Sequence, residues 1–165
     1  MGSPNYFGRW KQNWDFLIAE ITAATAHGQS LDGIKTITRT EFSAVELLPA
    51  IGCQLKKTTW EIIGMNTRRV TQLFSITAAL QVDQNDATPD TGTAAVNALV
   101  PFLNDGTGNG LEPFLNALGP QTGQWQRSMI VDMEFDVIQD ATQNATAIAY
   151  ARFLFETVDQ TKGGG

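Results

Sequence analysis

Apolar residues recur along this chain with two different periods, and the period changes from one segment to the next. Trp10, Trp14, Leu17, Ile18, Ile21 and Thr25 follow at steps of 4, 3, 1, 3 and 4, one stripe of a 3.6-residue helix. Arg9, Lys11, Asp15 and Glu20 lie mostly off that stripe. The spacing predicts a helix over Trp10–Ala26 after a lead-in of residues 1–9, with His27-Gly28 at its exit, where glycine accepts the left-handed conformation.

A period of two follows. Ile34 to Phe42 is β-branched and Thr-rich and reads as a short strand, whereas Ser43 to Leu48 fits no single template. From Pro49 the alternation is clear: Ile51, Cys53 and Leu55 against Gly52, Gln54 and Lys56. A returning strand begins near Arg68, with Phe74, Ile76, Ala78, Leu80 and Val82 alternating with Ser75, Thr77, Ala79 and Gln81. Between them, Lys57 to Arg69 is either the far end of a long hairpin turning at Gly64-Met65-Asn66 or a mobile loop.

Residues 83–92 are loop by composition. Thr91 or Thr93 caps an expected helix carrying Val96, Leu99, Val100 and Leu103. Asn104 to Gly110 breaks it, and a second short helix runs from Leu111 to Leu118 before Gly119-Pro120. Pro101 and Pro113 are positioned to weaken or kink these helices. The last unit is a second hairpin. Met129, Val131, Met133, Phe135 and Val137 are expected on one face, and Ile130, Asp132, Glu134, Asp136 and Ile138 on the other. After a turn at Asp140–Ala145, Ala147, Ala149, Ala151, Phe153 and Phe155 share one face of the return strand. The order of elements predicts an α+β domain: one largely antiparallel sheet, with the N-terminal helix and the central helical section packed on one face and a long hairpin arm at about 56–69. Residues 159–165 read as a flexible tail.

Composition narrows the functions. The 165 residues hold 11 basic and 17 acidic side chains, a net charge of -6, which argues against a nucleic-acid reader built on Lys and Arg contacts to phosphate. One Cys and one His exclude a disulfide framework within the chain and leave no Cys/His zinc set. No apolar run reaches the roughly 18 residues of a membrane span, and the N-terminus lacks a signal-peptide pattern. The expectation is a soluble chain made in a reducing cytoplasm. The charge is unevenly spread: residues 31–72 carry six basic and four acidic groups, whereas residues 73–128 and 129–165 each carry a net of -4. A basic arm and an acidic body follow.

Catalytic chemistry has little support in these residues. His27 ends a helix and has no triad neighbours. Cys53 sits on an apolar strand face and reads as core. Asn104–Gly110 is Gly-rich but lacks the Lys-Ser/Thr ending of a phosphate-binding loop. Asp83, Asp86 and Asp90 lack the spacing and terminal Glu of a calcium loop. Asp132, Glu134 and Asp136 share one strand face, as side chains two apart must. They read either as a solvated face paired with Arg152 or as a functional acidic wall. Tyr150, Arg152 and Glu156 would have to line a concave pocket for a small-molecule binding module.

The arm is less easily dismissed. Trp60, Ile62, Ile63 and Met65 lie beside Lys56, Lys57, Arg68 and Arg69, and a protruding hairpin has no core in which to bury the four apolar side chains. Either they meet a partner or the segment folds back onto the sheet.

Taken in order, these segments resemble the tail terminator proteins of long-tailed bacteriophages, the family of the lambda minor tail protein U. The likeness runs over about residues 10–158: the helix Trp10–Ala26, the Pro-led strand Leu48–Leu55, a long variable arm, the returning strand Gln72–Val82, the helical section 93–118 and the closing hairpin Ile130–Phe155. It rests on element order and pattern. The resemblance implies a structural, non-enzymatic virion protein without cofactor, assembled in the host cytoplasm and placed at the tail–neck junction. There it would form a homohexameric ring that caps the completed tube of the major tail tube protein and docks the head–tail connector or neck protein, with DNA passing through as cargo and no membrane involved. The arm would then reach a neighbouring subunit, and Asp132, Glu134 and Asp136 would be candidates for a channel wall that like charge keeps from holding DNA. Another neck or connector completion protein, or the tube subunit itself, is the alternative within the virion.

Overall fold

The computed structural model describes residues 6–40, 48–83, 91–139 and 146–162. Side chains at 6–10, 82–83, 91–96, 137–139, 146–147 and 161–162 lie outside the description, as do the expected turn at 140–145, the loop carboxylates Asp86 and Asp90, and the triglycine at 163–165. In chain order the elements are α1 (Tyr6–Ala24), β1 (Thr36–Thr38), β2 (Ala50–Gly64), β3 (Thr67–Asp83), α2 (Thr91–Leu103), α3 (Leu111–Leu118), β4 (Arg127–Gln139) and β5 (Thr146–Lys162). The fold is α+β. One mixed sheet has the order β1-β2-β3-β5-β4, with β1 parallel to β2 and every other pair antiparallel.

The expected apolar faces coincide across the sheet. Ile51, Ala78 and Ala151 form one cross-strand row; Cys53, Ile76, Phe153 and Met133 form the next; Leu55, Phe74, Phe155 and Ile130 form a third. Leu17 and Ile21 of α1, Leu99 and Leu103 of α2, and Leu111, Leu115 and Leu118 of α3 close over these rows in one buried cluster. Burial of such side chains contributes about 1.5–3 kcal/mol each, so the helices are held by this single face. Trp125, in the turn before β4, is buried in the same cluster. Its ring meets Phe16 and Phe155 edge-on at 5.4 and 6.3 Å, and its Nε1 donates to Gly119 O at 2.7 Å.

Several boundaries differ from the periodicity. α1 begins at Tyr6, inside the expected lead-in, and ends at Ala24. Pro101 lies inside α2 near its end, and Pro113 lies in the first turn of α3, where its missing N–H leaves no intrahelical bond unmade. Between these helices Gly110 has φ 117° and would place a Cβ 2.5 Å from the Leu103 carbonyl, so the turn accepts only glycine. β5 continues to Lys162, through residues expected in the flexible tail.

Two β-bulges reassign faces. In β4 the register shifts between Ile130 and Asp132, leaving Val131 as the extra residue. Ile130 therefore turns to the core opposite Phe155, and Met129 turns to the open face opposite Glu156, the reverse of the simple alternation. In β2 the shift falls between Leu55 and Lys57. Beyond Lys56 the even-numbered residues Thr58, Trp60 and Ile62 thus continue the face that Ile51, Cys53 and Leu55 begin.

Candidate assembly surfaces

The long hairpin is the first surface. β2 and β3 remain paired from Ala50 with Ala79 out to Gly64 with Thr67, and Asn66 takes φ 62° in the turn. The expected turn at Gly64–Asn66 is present, and the segment does not fold back. It is also not a two-stranded arm. The end of β5 runs beside it, pairing Glu156 with Leu73 and Lys162 with Thr67. The protrusion is a three-stranded blade, which is far stiffer than the isolated hairpin that the sequence suggests.

The blade is anchored at its base from α1. Asn13 Nδ2 donates to Gln72 Oε1 at 2.6 Å, and both residues are buried. Trp14 Nε1 donates to the main-chain oxygen of Cys53 at 2.9 Å. The guanidinium of Arg39 lies 5.1 Å over the Trp14 ring and 2.5 Å from Asp15. The hydrogen bond from Lys11, then that from Arg39, holds the Asp15 carboxyl below its usual range.

Along the blade the predicted apolar residues are all exposed: Met65 is 95% and Ile62 75% accessible, with Trp60 and Ile63 near two-fifths. Of the four basic groups beside them, Arg69 is 3.2 Å from Glu61. Lys56 stands at the bulge and Arg68 opposite Ile62, and Lys56, Lys57 and Arg68 are all exposed. The blade thus has one face with Trp60, Ile62 and the exposed Arg68, and another with Lys57, Glu61 and Arg69.

β4 is the second surface. It is 13 residues long, lies at the sheet edge, and has no strand on its far side among the described residues. Met129, Val131, Met133 and Phe135 are each 40–46% accessible. Beside the strand, a groove of about 200 Å³ lies against α3, lined by Glu112, Asn116, Ile130, Met133 and Phe153. Long apolar edges of this kind are templates for strand pairing.

The acidic row lies on the open face of β4. Asp132, Glu134 and Asp136 stand opposite Leu154, Arg152 and Tyr150 and are all exposed. Glu134 is 3.7 Å from the Arg152 guanidinium, and the Tyr150 hydroxyl donates to Asp136 at 3.1 Å. Partial burial, and then the Asp136 carboxylate, push the Tyr150 phenol above its usual range. Tyr150 and Arg152 are therefore tied to the acidic row.

The remaining chemistry-bearing residues stand apart. His27 is fully exposed beyond α1, 3.2 Å from Asp32. Cys53 is buried, and burial pushes its thiol up to about 12. Asp105 accepts from Thr107 and Asn109 and so shapes the Gly-rich turn. Among the described residues no group of His, Cys, Asp and Glu is placed to hold a metal ion, and no helix is long and apolar enough to cross a membrane. The sequence missed the Asn13–Gln72 anchor and Trp125. A polar residue inside the α1 pattern and a polar residue within the β3 alternation were the available signals for the first. No family model matches the sequence, and no characterised protein is found to match it.

Proposed function

We propose that this chain is a structural protein of a long-tailed phage particle, a tail terminator that works as a closed ring of copies on the end of the tail tube. The observation that carries the reading is the pairing of one helix-backed sheet with two surfaces a monomer leaves unsatisfied: the apolar and basic blade, and the apolar edge β4. It joins the order of helix, long hairpin, helices and closing hairpin on which the family resemblance rests. In this reading one ring face matches the tube end and the other the head connector, and complementarity of surfaces does the work that residues do in an enzyme.

The open sheet face is the proposed channel wall. Asp132, Glu134 and Asp136 form a continuous carboxylate row there, and a wall of like charge repels passing DNA. No catalytic step enters the proposal; Cys53 is buried in the core and His27 is an exposed imidazole beside Asp32.

The test is native mass spectrometry with electron microscopy of the purified chain, followed by its addition to polymerising tube subunits. Discrete rings of about six copies that halt tube growth are expected. Open-ended tubes formed by the chain alone would make it the tube subunit. Neither rings nor any effect on tube length would overturn the phage reading.

A further inference from the structure

We infer that the free edge of β4 takes, as an added strand, an extended segment of another protein in which basic and apolar residues alternate. The inference does not rest on the ring reading. Where the two meet, it gives β4 to a partner of the ring and leaves the blade to contacts between copies.

The edge is open and its two faces differ. Among the described residues no strand lies on the far side of β4, from Arg127 to Gln139. After the bulge, Met133 and Phe135 stand opposite Phe153 and Ala151 on the helix-side face. Asp132, Glu134 and Asp136 stand opposite Leu154, Arg152 and Tyr150 on the open face. All five β4 residues are exposed. A strand added beside β4 keeps the same two faces, because its side chains alternate across the sheet as those of β4 do. On one face it meets Met133 and Phe135, and on the other it meets three carboxylates in succession.

These side chains set the chemistry of the occupant. On the helix side, the groove of about 200 Å³ between α3 and β4 is lined by Ile130, Met133 and Phe153, with Glu112 and Asn116 of α3 beside them. It suits an apolar side chain of the added strand. On the open face, β5 places one guanidinium, that of Arg152, opposite the three carboxylates. The Tyr150 hydroxyl donates to Asp136, and the Met133 N–H donates to Asp132 at 2.8 Å, but neutral donors leave the charge in place. The row therefore keeps an excess of negative charge. Opposite charges across a strand pair stabilise it and like charges destabilise it, so the occupant carries Lys or Arg at alternate positions.

This chain does not supply such a segment. Its 11 basic residues include no three at alternate positions. Lys56-Lys57 and Arg68-Arg69 are adjacent pairs, and Arg9 and Lys11 fall within α1. A second β4 would set one acidic row against another. The occupant is accordingly a different protein, held by main-chain hydrogen bonds for affinity and by its alternate side chains for specificity.

A synthetic peptide of about ten residues with Lys and Val in alternation is the probe. Three controls share its length: the same residues with Lys and Val in separate blocks, Glu and Val in alternation, and the Lys–Val alternation N-methylated throughout. The last keeps the side chains and donates no ladder hydrogen bond. Binding is read by fluorescence anisotropy of labelled peptide, and its place by amide shifts of the isotope-labelled protein. The alternating Lys–Val peptide should shift amides along β4 and bind about tenfold or more tightly than each control. Asp132→Asn with Glu134→Gln and Asp136→Asn should weaken that binding about tenfold and leave the melting temperature within a few degrees of wild type. Equal binding by any control, shifts that map away from β4, or no binding at millimolar peptide would each overturn the inference. Should the triple variant fail to fold, the four peptides on wild type decide the matter alone. The oligomeric state of the chain without peptide is measured separately, so the ring proposal stands or falls independently of this result.

Discussion

Asn13 and Gln72, 59 positions apart in sequence, share a buried amide hydrogen bond of 2.6 Å where the blade leaves the body of the sheet. The contact fixes α1 to β3 at the margin of the main apolar cluster, two residues from the buried Val70. Gln72→Ala leaves the Asn13 amide without this acceptor in a buried site and should cost about 1–3 kcal/mol of stability. Asn13→Leu with Gln72→Leu removes both polar groups and should cost less than the sum of the single changes. Urea denaturation of the four proteins in a double-mutant cycle measures the coupling.

Beyond that anchor the blade contributes little to the fold of the monomer. Trp60→Ser, Ile63→Ser and Met65→Ser together alter residues that are substantially exposed. Exposed positions typically change stability by about 0.5 kcal/mol or less each. The triple variant should therefore melt within a few degrees of wild type and lose self-association in light scattering. Loss of the folded monomer would instead make these side chains part of the core.

Gly110 presents the opposite case. Its φ is 117°, and a methyl group on its α-carbon would stand 2.5 Å from the Leu103 carbonyl, so there is no room for a side chain. Gly110→Ala should destabilise the α2–α3 connection by about 1–3 kcal/mol from backbone strain alone, visible as a lower melting temperature. Gly106→Ala, where nothing lies within 4 Å, is the control for positive φ without the clash.

Cys53 makes a chemical prediction. Burial raises its thiol from 9.0 to about 12, so in the native protein it should be unreactive toward a thiol reagent at neutral pH and react only on unfolding. The raised value also sets a pH dependence. Below about pH 9 both states hold the proton and stability is unaffected. Above it the unfolded chain loses the proton while the folded chain keeps it, so stability falls as pH rises from 9 toward 12. Cys53→Ala should abolish that contribution; an unchanged alkaline slope would assign it to other groups.

Much of the fold was legible because it rests on unbroken periods. The rows through Ile51, Phe74, Ile76, Ala151 and Phe153 lie where alternation put them, and the stripe of Leu17 and Ile21 faces the core. The errors cluster where one extra residue changes the phase. Val131 and Lys56 carry no mark of a bulge in their own chemistry; the bulge comes from the way neighbouring strands meet. For that reason Ile130 and Met129 exchanged faces, and Trp60 and Ile62 joined a side of the blade that simple counting assigns to their neighbours. β5 was likewise read too short, because Asp159, Gln160 and Thr161 are polar on a strand that extends past the core and so show no buried alternation. The candidate surfaces were found through composition, Trp60, Ile62, Ile63 and Met65 among four cations, but the anchor that fixes their direction joins distant residues and had no local signature.

The three-stranded blade also settles where handles can be attached. Lys162 pairs with Thr67, one residue past the turn that carries Met65, so the backbone of Lys162 stands near the most exposed large apolar side chain among the described residues. A fluorophore or affinity tag fused there would sit on the blade's tip and report on its contacts, or block them. A label on His27, exposed beyond α1, would instead leave the blade untouched.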